Sequence, residues 1–552
     1  MTGYVLRRSA LSLGLLAALL AAGGAVLISL GVPVWVPILV AVLVVAGQYA
    51  LAPYLVQWLI PAQRIEWVGD RYDTRHEVGE IVARRCAEAG LKPVRLGIVD
   101  DGTPNAFTFG HTRGNARIYV TRGLLERLDE RELDAVVSHE VGHVKHNDVL
   151  AMAVAGTVPI VLYFVYLSLR GSNNANTAIP AVVSYVGYLF SQLVVLSLSR
   201  ARELGADHYS CSVTGDGDAL CSALVAIGYG MGQVDAQRAS AAHEAKEGKD
   251  KERQKVLAKE DRRHQRMRSV GVLGIADQAQ GATVLAARER GLDPREVIGA
   301  LRWDTCNPWA RWTQLFSTHP LIVRRIAALE DSGLPGAPTR WSAHEVAQSC
   351  VGPEVTRARR RFFLELPVRY LPLIALLVGA VGWGSHHWLL LAQAATVGGV
   401  ALFVRTAFSR PLAPSRPVAR VTELLTRLDA SPVTGLPVEV RGRVIGRGTP
   451  GYVLSPDLVV QDESGFVPVL YLQPWPFARS LFGLLRVPEL LDTDVVVRGW
   501  YRRSPAPVLE LREMVPAVGE RVRGFQWVVA YAASVLIAAV GGAAWLVMAL
   551  AA

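Results

Sequence analysis

Charged residues are scarce in this sequence. Asp, Glu, Lys and Arg make up only 19% of its 552 residues, whereas soluble globular chains carry about 25%. Hydrophobic residues reach 51% and the mean hydropathy is +0.26, which excludes disorder as the general state, because disordered chains are poor in apolar residues. Several domains are expected at this length, and the apolar excess favours a membrane protein.

Cysteine is also rare. The sequence has five cysteines and no Cys-x-x-Cys pair: Cys86, Cys211, Cys221, Cys306 and Cys350. The orientation predicted below puts them in the cytoplasm, where thiols stay reduced. We therefore interpret all five as buried apolar residues.

The apolar residues are gathered into long runs. No charged residue occurs from Ser9 to Gln63, and one bilayer crossing needs only about 20 apolar residues. Pro33 divides this run, because proline interrupts a helix. The sequence predicts about seven transmembrane spans: 10–30, 36–59, 149–169, 179–198, two within 370–404 that are separated by 384–387, and 524–552.

Arginines are concentrated at one end of the predicted spans, while the connecting turns at 31–35, 170–178 and 384–387 contain one Arg among them. Positively charged flanks favour the cytoplasmic side. We therefore expect a multi-pass cell-membrane protein with its large polar segments, and any site in them, at the cytoplasmic face. The net charge of +10 is explained by arginines that meet anionic lipid, and no nucleic-acid partner is expected. The flanking arginines are Arg7, Arg8, Arg64, Arg200, Arg202, Arg357, Arg359, Arg360, Arg361, Arg521 and Arg523.

A helix with two histidines precedes the third predicted span. Apolar residues recur at helical spacing from Leu133 to Val141. His139 and His143 are four residues apart, so they lie on one face of that helix and can bind one Zn²⁺ per chain. Glu140 is placed to accept a proton from water activated by the metal. The pattern is the H-E-x-x-H motif of zinc peptidases.

A catalytic zinc site needs a third protein ligand. Glu203 follows the fourth span, and Asp207 lies one helical turn further on the same face. We predict Glu203 as the third ligand and Asp207 as the hydrogen-bond partner of a ligating histidine. Two alternatives stay open: His146 as the third ligand, and Glu203 with Asp207 as solvated charges at the end of a transmembrane helix.

These motifs resemble those of the HtpX-type membrane zinc metalloproteases, relatives of the CAAX prenyl proteases in the gluzincin class. The resemblance covers about residues 60–330 and implies a zincin-type α+β domain. It also implies that Asn105, Ala106 and Phe107 hold the substrate backbone and that His319 stabilises the oxyanion. Without the resemblance, Asn105 is a turn residue after Pro104 and His319 is a loop residue. The matching motifs are Pro104–Phe107 with Gly110, His139–His143, Ser199–Asp207 and Ser317–Pro320.

The part of the chain beyond residue 360 departs from that family pattern. Residues 436–513 alternate as strands do and contain Gly-rich turns, which predicts a small β-barrel similar to an OB-fold. A short helix is expected at 422–428. Barrels of this kind can bind single-stranded nucleic acid, but tethering to the membrane favours a protein partner or a structural role.

The sequence therefore predicts a polytopic α-helical membrane protein with a zincin-type domain and a C-terminal OB-like barrel. We expect a zinc-dependent metalloendopeptidase that cuts membrane or unfolded proteins, with Glu140 as general base. One of the strands predicted at 94–99, 106–109 and 117–121 can offer an edge to an extended peptide. The alternative is a non-catalytic membrane scaffold or sensor with a structural zinc site and a partner-binding barrel.

The predicted division of the chain has seven segments. Transmembrane helices are predicted as pairs in 1–60, 149–198 and 364–405 and as a single final helix in 524–552. The catalytic domain has two parts: residues 61–148 contain the zinc helix, and residues 199–363 contain the third ligand and a solvated charged insertion at 235–268. Residues 406–523 contain a linker and the barrel.

Overall fold

The computed structural model describes residues 11–20, 22–24, 35–170, 177–227, 301–418, 420–447, 455–504 and 507–551. The charged insertion predicted at 235–268 lies outside these residues, as do parts of the span predicted at 10–30 and of the turn predicted at 170–178. The described residues belong to two compact units. The first contains residues up to 227 together with 312–344, and the second contains 301–311 and the chain from 345 onward.

The elements are numbered in chain order. The helices are α1 (Trp35–Leu59), α2 (Val78–Glu88), α3 (Arg122–Leu125), α4 (Glu130–His146), α5 (Asp148–Arg170), α6 (Ala178–Thr214), α7 (Gly217–Ile227), α8 (Arg302–Cys306), α9 (Pro308–Gln314), α10 (Ile322–Glu330), α11 (Ala343–Gln348), α12 (Pro353–Gly384), α13 (Trp388–Ser409), α14 (Val421–Thr426), α15 (Pro476–Leu485), α16 (Val487–Leu490) and α17 (Gln526–Ala551). The strands are β1 (Gln63–Ile65), β2 (Trp67–Val68), β3 (Arg71–Tyr72), β4 (Arg95–Val99), β5 (Ala106–Phe109), β6 (Arg117–Thr121), β7 (Arg416–Pro417), β8 (Leu436–Arg447), β9 (Leu458–Gln461), β10 (Phe466–Leu470), β11 (Asp494–Arg503), β12 (Pro507–Pro516) and β13 (Val522–Arg523).

Among the described residues, six helices are long and apolar enough to cross a membrane: α1, α5, α6, α12, α13 and α17. They confirm six of the predicted spans, including the two that residues 384–387 separate. In the region of the span predicted at 10–30, the described residues form a shorter apolar helix, Leu11–Gly24.

The first unit surrounds a four-stranded sheet with the strand order β1-β4-β6-β5. β4 and β6 are parallel, whereas β5 is antiparallel to β6 and forms one edge. Every residue of β6 is buried, as expected for a central strand. Phe107, Phe109 and Tyr119 pack with Ile60 in one apolar cluster beside the sheet, which ties the end of α1 to the edge strand.

The local sequence determines where α4 begins and ends. The Asp129 side chain accepts a hydrogen bond from the Glu132 backbone N–H, and the Glu132 side chain accepts one from the Asp129 N–H, which forms a capping box. The helix ends at Asn147, whose φ of 55° is left-handed. α5, which is one of the candidate membrane spans, begins directly after it at Asp148. The helix that carries the H-E-x-x-H motif is therefore connected directly to a membrane span.

The continuity of α6 is important for the site. Its apolar part forms a predicted span, yet the helix continues without interruption to Thr214 and ends at Gly215, with φ of 66°. The polar C-terminal part carries both Glu203 and Asp207, and their side chains are buried. The helical spacing predicted for these two residues is therefore confirmed.

In the second unit, α13 and α17 approach each other closely. A Cβ atom at Gly399 would lie 2.3 Å from the backbone nitrogen of Ala538, and one at Gly541 would lie 2.6 Å from that of Thr396. Small residues at such contacts let transmembrane backbones pack against each other. The two glycines therefore allow the two spans to pack at this distance.

The C-terminal region contains a closed five-stranded barrel. The strand order is β10-β9-β8-β11-β12, and the parallel pairing of β10 with β12 closes the circle. Alternate side chains of each strand point inward and form one apolar core, which includes Val440, Val460, Val497 and Leu509. The strands predicted within 436–513 and the helix predicted at 422–428 are confirmed.

One expectation about the cysteines is wrong. Cys306 and Cys350 form a disulfide with a Cα–Cα distance of 5.2 Å and a sequence separation of 44 residues. Their spacing gave no sign of pairing, because the fold, and not the local sequence, brings the end of α8 beside Cys350, the second residue after α11. Cys86, Cys211 and Cys221 are buried free thiols, as expected.

Candidate metal centre

Three side chains converge on one point in the first unit. His139 and His143 come from α4 and Glu203 comes from α6, and their potential ligand atoms all lie within 4.8 Å of one another. The Nε2 atoms of the two histidines are 3.1 Å apart. The Glu203 carboxylate oxygens lie 3.6 Å from Nε2 of His139 and 3.5 Å from Nε2 of His143.

Gly142 makes this convergence sterically feasible. A Cβ atom at this position would lie 3.0 Å from the Tyr209 ring and 3.4 Å from Cα of Ala206, both on α6. The absence of a side chain lets α4 and α6 approach closely enough for residues from both helices to share a site. The variable position of the H-E-x-x-H motif next to the second histidine therefore has a packing role here.

The hydrogen bonds of the two histidines determine which ring nitrogens face the shared point. Nδ1 of His139 lies 2.9 Å from Oδ1 of Asp207, and Nδ1 of His143 lies 2.7 Å from Oδ2 of Asp148. A neutral imidazole that donates from Nδ1 has its lone pair on Nε2. Both lone pairs are therefore directed at the Glu203 carboxylate and at each other.

This arrangement fits a bound cation. Two lone pairs and a carboxylate in contact repel one another unless a positive charge lies between them. Glu203 Oε2 is buried and makes no hydrogen bond within the described part of the chain. Two imidazole nitrogens and one carboxylate are also a common ligand set of a catalytic zinc site, so the residues present fit Zn²⁺.

A buried arginine supports the Asp207 side of the site. Arg325 on α10 donates from Nε to Oδ2 of Asp207 at 2.8 Å and from Nη2 to Oδ1 at 2.6 Å. Both side chains are 1% exposed. Burial lowers the pKa of Arg325, but the ion pair with Asp207 raises it by more. Arg325 thus remains charged and holds the carboxylate that orients His139.

The same network affects His139 itself. Burial alone lowers the pKa of this imidazole, whereas the hydrogen bond to Asp207 and the nearby Glu203 carboxylate raise it by more, so its pKa lies above the ordinary value. The surroundings of His139 therefore favour positive charge. A bound cation satisfies the same preference while the ring stays neutral.

On the other side of the site, Arg202 forms an ion pair with Asp148, which in turn contacts His143. Sequence reasoning identified neither Asp148 nor Arg325 as part of the site. Asp148 lies only five residues after His143, at the junction of α4 and α5. This short spacing is enough to predict that the two side chains can meet. Arg325 lies more than a hundred residues from Asp207, and no local pattern connects the two.

Glu140 is oriented by the edge strand. Its side chain is 2% exposed, and Oε2 accepts a hydrogen bond from Oγ1 of Thr108 at 2.7 Å. Thr108 lies on β5 between the buried residues Phe107 and Phe109. Sequence reasoning missed Thr108, although the alternation of this strand places its side chain on the opposite face from the two phenylalanines.

The residues predicted to hold the substrate have buried side chains. Phe107 is 2% exposed and packs against Phe109 and Tyr119. Asn105 is 7% exposed, and its backbone N–H donates to Oγ1 of Thr121 at 2.8 Å. Ala106 pairs with Val120 as the first residue of β5. The side chains of Asn105 and Phe107 are therefore buried within the protein.

His319 is also brought to the site. Its ring is 5% exposed, and Nδ1 lies 3.2 Å from Oε2 of Glu203. Arg200 holds the loop before it by donating to the carbonyl oxygens of Gln314 at 2.9 Å and Ser317 at 2.7 Å. The structure thus places His319 beside the third candidate ligand.

The two alternatives for the third ligand are not favoured. His146 lies outside the three converging side chains, and burial together with nearby Arg202 lowers its pKa to about 4. Its ring packs edge-on to Tyr209 with centroids 5.8 Å apart. Glu203 and Asp207 are buried, so they are not solvated charges at a helix end.

The chain is similar to a known family of peptidases. The model of Peptidase family M48 matches residues 71–332. A "Protease HtpX homolog" of Methanothermobacter thermautotrophicus is 35% identical over 212 residues, which cover 38% of this chain and 79% of the relative. A homolog of Moorella thermoacetica is 34% identical over 240 residues, covering 41% of this chain and 78% of the relative.

Other similarities are weaker in coverage. A "Protease HtpX homolog" of Aeropyrum pernix is 36% identical over 197 residues, covering 32% of this chain and 60% of the relative. The solved structure of S. mikatae Ste24p is 15% identical with a TM-score of 0.29, and the alignment covers 40% of this chain and 56% of that chain. At that TM-score the likeness supports no statement about this chain.

Proposed function

The chain belongs to peptidase family M48 together with its HtpX relatives, and on this premise we propose that it is a zinc-dependent endopeptidase of membrane or unfolded proteins. The relatives and the six apolar helices make it a multi-pass membrane metalloprotease. The alternative of a non-catalytic scaffold has no support among the named relatives. The observation that carries the zinc assignment is the convergence of His139, His143 and Glu203 with both Nε2 lone pairs unused.

In the proposed mechanism, His139, His143 and Glu203 would hold a zinc ion, and the bound ion would supply the Lewis acidity that makes water a better nucleophile and a peptide carbonyl a better electrophile. Glu140 accepts a proton from the attacking water and donates it to the leaving amine. Thr108 holds the Glu140 carboxylate in place through its 2.7 Å hydrogen bond. Asp207 and Asp148 keep His139 and His143 in the tautomer that has the Nε2 lone pair.

The edge strand β5 supports a proposal for substrate binding. Among the described residues, β5 pairs with β6 on one side only, and an extended peptide can add to such an edge through backbone hydrogen bonds. Asn105, Ala106 and Phe107 would then contact the substrate backbone, and His319 would stabilise the oxyanion. Recognition through backbone atoms favours any accessible, unfolded stretch over one particular side chain.

We further propose that the site faces the cytoplasm, because the arginines flank the spans on one side. The disulfide between Cys306 and Cys350 favours the opposite face, since disulfides are rare in the cytoplasm. A cysteine introduced at exposed Arg340 distinguishes the two orientations. If the site faces the cytoplasm, a membrane-impermeant maleimide labels the R340C variant only after the cells are permeabilised. Labelling of intact cells would show that the site faces the opposite side of the membrane.

The C-terminal barrel is proposed to be OB-like and to bind a protein partner. Its five strands and its closure by β10 and β12 support this reading, because an OB-fold is a five-stranded Greek-key barrel. The seven-segment division of the chain predicted from the sequence remains part of the proposal.

Cleavage of a fluorescently labelled unfolded polypeptide by the detergent-purified protein tests the function. Glu140→Gln should keep one zinc ion per chain and lose activity by about 10²–10⁴-fold, the usual contribution of a general base. Glu203→Ala should lose zinc. Glu130→Gln, at an exposed position on the same helix, is the matched control and should retain both. Full activity of the Glu140 variant would refute the mechanism, and full zinc content of the Glu203 variant would remove Glu203 from the site.

A further inference from the structure

The second unit contains a basic cavity that the peptidase reaction does not use. Its volume is about 270 Å³, and four arginines line it: Arg369, Arg405, Arg410 and Arg502. They come from α12, α13, the residue after α13 and β11. Residues distant in the chain thus bring their guanidinium groups to one cavity.

The cavity lies where the spans leave the apolar part of the bilayer. Arg405 is close to the end of α13, and the lining residues of α17 belong to its first half. Arg369 immediately precedes the stretch of α12 that lacks charged residues. Span ends with arginine and tryptophan or tyrosine neighbours are located at the headgroup level of a membrane.

The arginines are not balanced by acidic residues. Glu510 forms ion pairs with both Arg410, at 2.5 Å, and Arg502. Arg369 lies over the rings of Trp309 and Tyr370. Among the described residues, the ion pairs observed at this cavity are those of Glu510, and the charged neighbours of Arg405 are Arg369 and Arg410. The cavity therefore has more positive charge than the protein neutralises, and an anion would remove this imbalance.

The other walls of the cavity are apolar or carry hydroxyl groups. Leu402, Ala530, Ala533 and Ile537 supply apolar surface, and Ser534 supplies a hydroxyl group. A free inorganic anion needs no apolar wall. A molecule with an anionic head and acyl chains matches both parts of the lining.

We propose that this cavity binds the phosphodiester headgroup of an anionic phospholipid, with Arg369 and Arg405 as its principal contacts. Arginine pairs well with phosphate oxygens because its planar guanidinium donates two parallel hydrogen bonds. Basic cavities between transmembrane helices are known to hold anionic headgroups. An arginine that only reaches from a span to the membrane surface extends its side chain toward water. The four arginines here instead line one cavity together, which favours a shared ligand.

Native mass spectrometry of the full-length protein in detergent tests the proposal. The protein is incubated with phosphatidylglycerol or with phosphatidylcholine of the same chain length. The wild type should retain phosphatidylglycerol in preference to phosphatidylcholine. Arg405→Gln should lower the retained phosphatidylglycerol about fivefold, the factor expected for one arginine near an anionic lipid, and Arg405→Lys should lower it less.

Arg443→Gln is the matched control. Arg443 is a barrel arginine whose side chain is 58% exposed and pairs with Asp494. It does not line the basic cavity. This variant should retain the wild-type amount of phosphatidylglycerol. Equal lipid retention by the Arg405 and Arg443 variants would overturn the proposal.

Two further arms keep the experiment decisive. Inorganic phosphate in excess should not displace phosphatidylglycerol, and complete displacement would show a phosphate site in place of a lipid site. If the Arg405→Gln protein no longer elutes as a single folded species, the Arg369→Gln protein is measured instead. It should also retain about fivefold less phosphatidylglycerol than the wild type. Unchanged lipid retention in a folded Arg369→Gln protein would equally contradict the proposal.

Discussion

The two units bury polar side chains in contrasting ways. Around the candidate metal centre, the Nε2 atoms of His139 and His143 face each other at 3.1 Å, and Oε2 of Glu203 beside them has no hydrogen-bond partner among the described residues. In the second unit, fully buried Glu365 accepts hydrogen bonds from Nε1 of Trp309, at 2.6 Å, and from Thr434. Nε1 of Trp303 and Nδ2 of Asn307 donate to backbone carbonyls at 2.8 Å and 3.0 Å.

The difference separates two uses of buried polarity. Polar groups that satisfy one another join parts of the chain and need nothing more. Polar groups that converge on one point with unused lone pairs are costly unless a ligand binds there. Substitutions in the hydrogen-bond network that holds the candidate metal ligands should therefore affect stability and zinc together, whereas substitutions at the mutually satisfied groups of the second unit should affect stability and leave zinc unchanged.

The largest effect is expected for Arg325→Met. Removal of the guanidinium leaves Asp207 buried without its ion-pair partner, which costs about 3–5 kcal/mol of stability. Zinc affinity should fall about 10–100-fold, because Asp207 no longer holds His139 in position. Thermal unfolding and zinc titration of the purified protein measure the two effects.

A double variant sharpens this test. Asp207→Asn combined with Arg325→Met removes both charges, so it should recover much of the lost stability without recovering the zinc affinity. If the single Arg325 variant unfolded like the wild type and bound zinc equally well, the polar network would have no role in holding the site.

The next effect is expected at the disulfide. Replacing Cys306 and Cys350 by serine should destabilise the protein by about 2–4 kcal/mol, because the 44-residue separation is no longer constrained in the unfolded chain. Zinc content and cleavage rate should remain at the wild-type level. Cys86→Ser, at a buried free thiol of the first unit, is the comparison variant, and loss of zinc in the disulfide variant would contradict the contrast between the units.

A pH dependence is expected from Asp304 in the second unit. Burial raises its pKa to about 6, although Arg503 at 3.7 Å partly opposes the shift. The unfolded value is about 3.9, so the folded state binds the proton more tightly. The resulting stabilisation is present below about pH 4 and is lost as the pH rises to about 6, in total roughly 3 kcal/mol.

Asp304→Asn removes this titration. Between about pH 4 and pH 7 the unfolding midpoint of the wild type should fall relative to that of the variant. Asp494→Asn, at an exposed carboxylate with 68% of its side chain accessible, controls for the removal of one charge. Parallel pH profiles for the wild type and the Asp304 variant would show that this carboxyl keeps an ordinary pKa.

The smallest effect is expected for Thr108→Val. The variant keeps the shape of the side chain but loses the hydrogen bond to Glu140, which should lower kcat about fivefold, the factor that corresponds to ~1 kcal/mol. KM and zinc content should stay unchanged. Thr426→Val, at an exposed helical position of the second unit, should leave kcat unaltered. A lower zinc content in Thr108→Val would mean that the threonine supports the ligands and not the base.

Much of the architecture was predictable because it depends on short-range patterns. The apolar runs predicted about seven spans, and six of them are long apolar helices among the described residues. The helical spacing predicted α4, and alternation predicted β5, β6 and the barrel strands. His139 and His143 needed only the helical period to be placed together. The pairing of Glu203 with them was inferred from chemistry, because a two-histidine zinc site is incomplete.

Apart from Asp148, which lies five residues after His143, the residues that sequence reasoning missed depend on contacts between distant parts of the chain. Arg325 reaches Asp207 from another helix, Thr108 reaches Glu140 from the edge strand, and Cys306 meets Cys350 only after folding. None of these pairs has a characteristic spacing. Their partners are selected by packing, and packing is a property of the whole fold.

The sequence by itself thus determined that this is a membrane protein with an H-E-x-x-H helix anchored to a span, since hydropathy and helical periodicity act over a few turns. Only the tertiary structure decided which nitrogen of each histidine faces the shared point, which strand edge lies beside Glu140, and how four arginines come to line one cavity. The physical reason is that hydrogen-bond direction and charge balance depend on distances between elements, and those distances exist only in the folded chain.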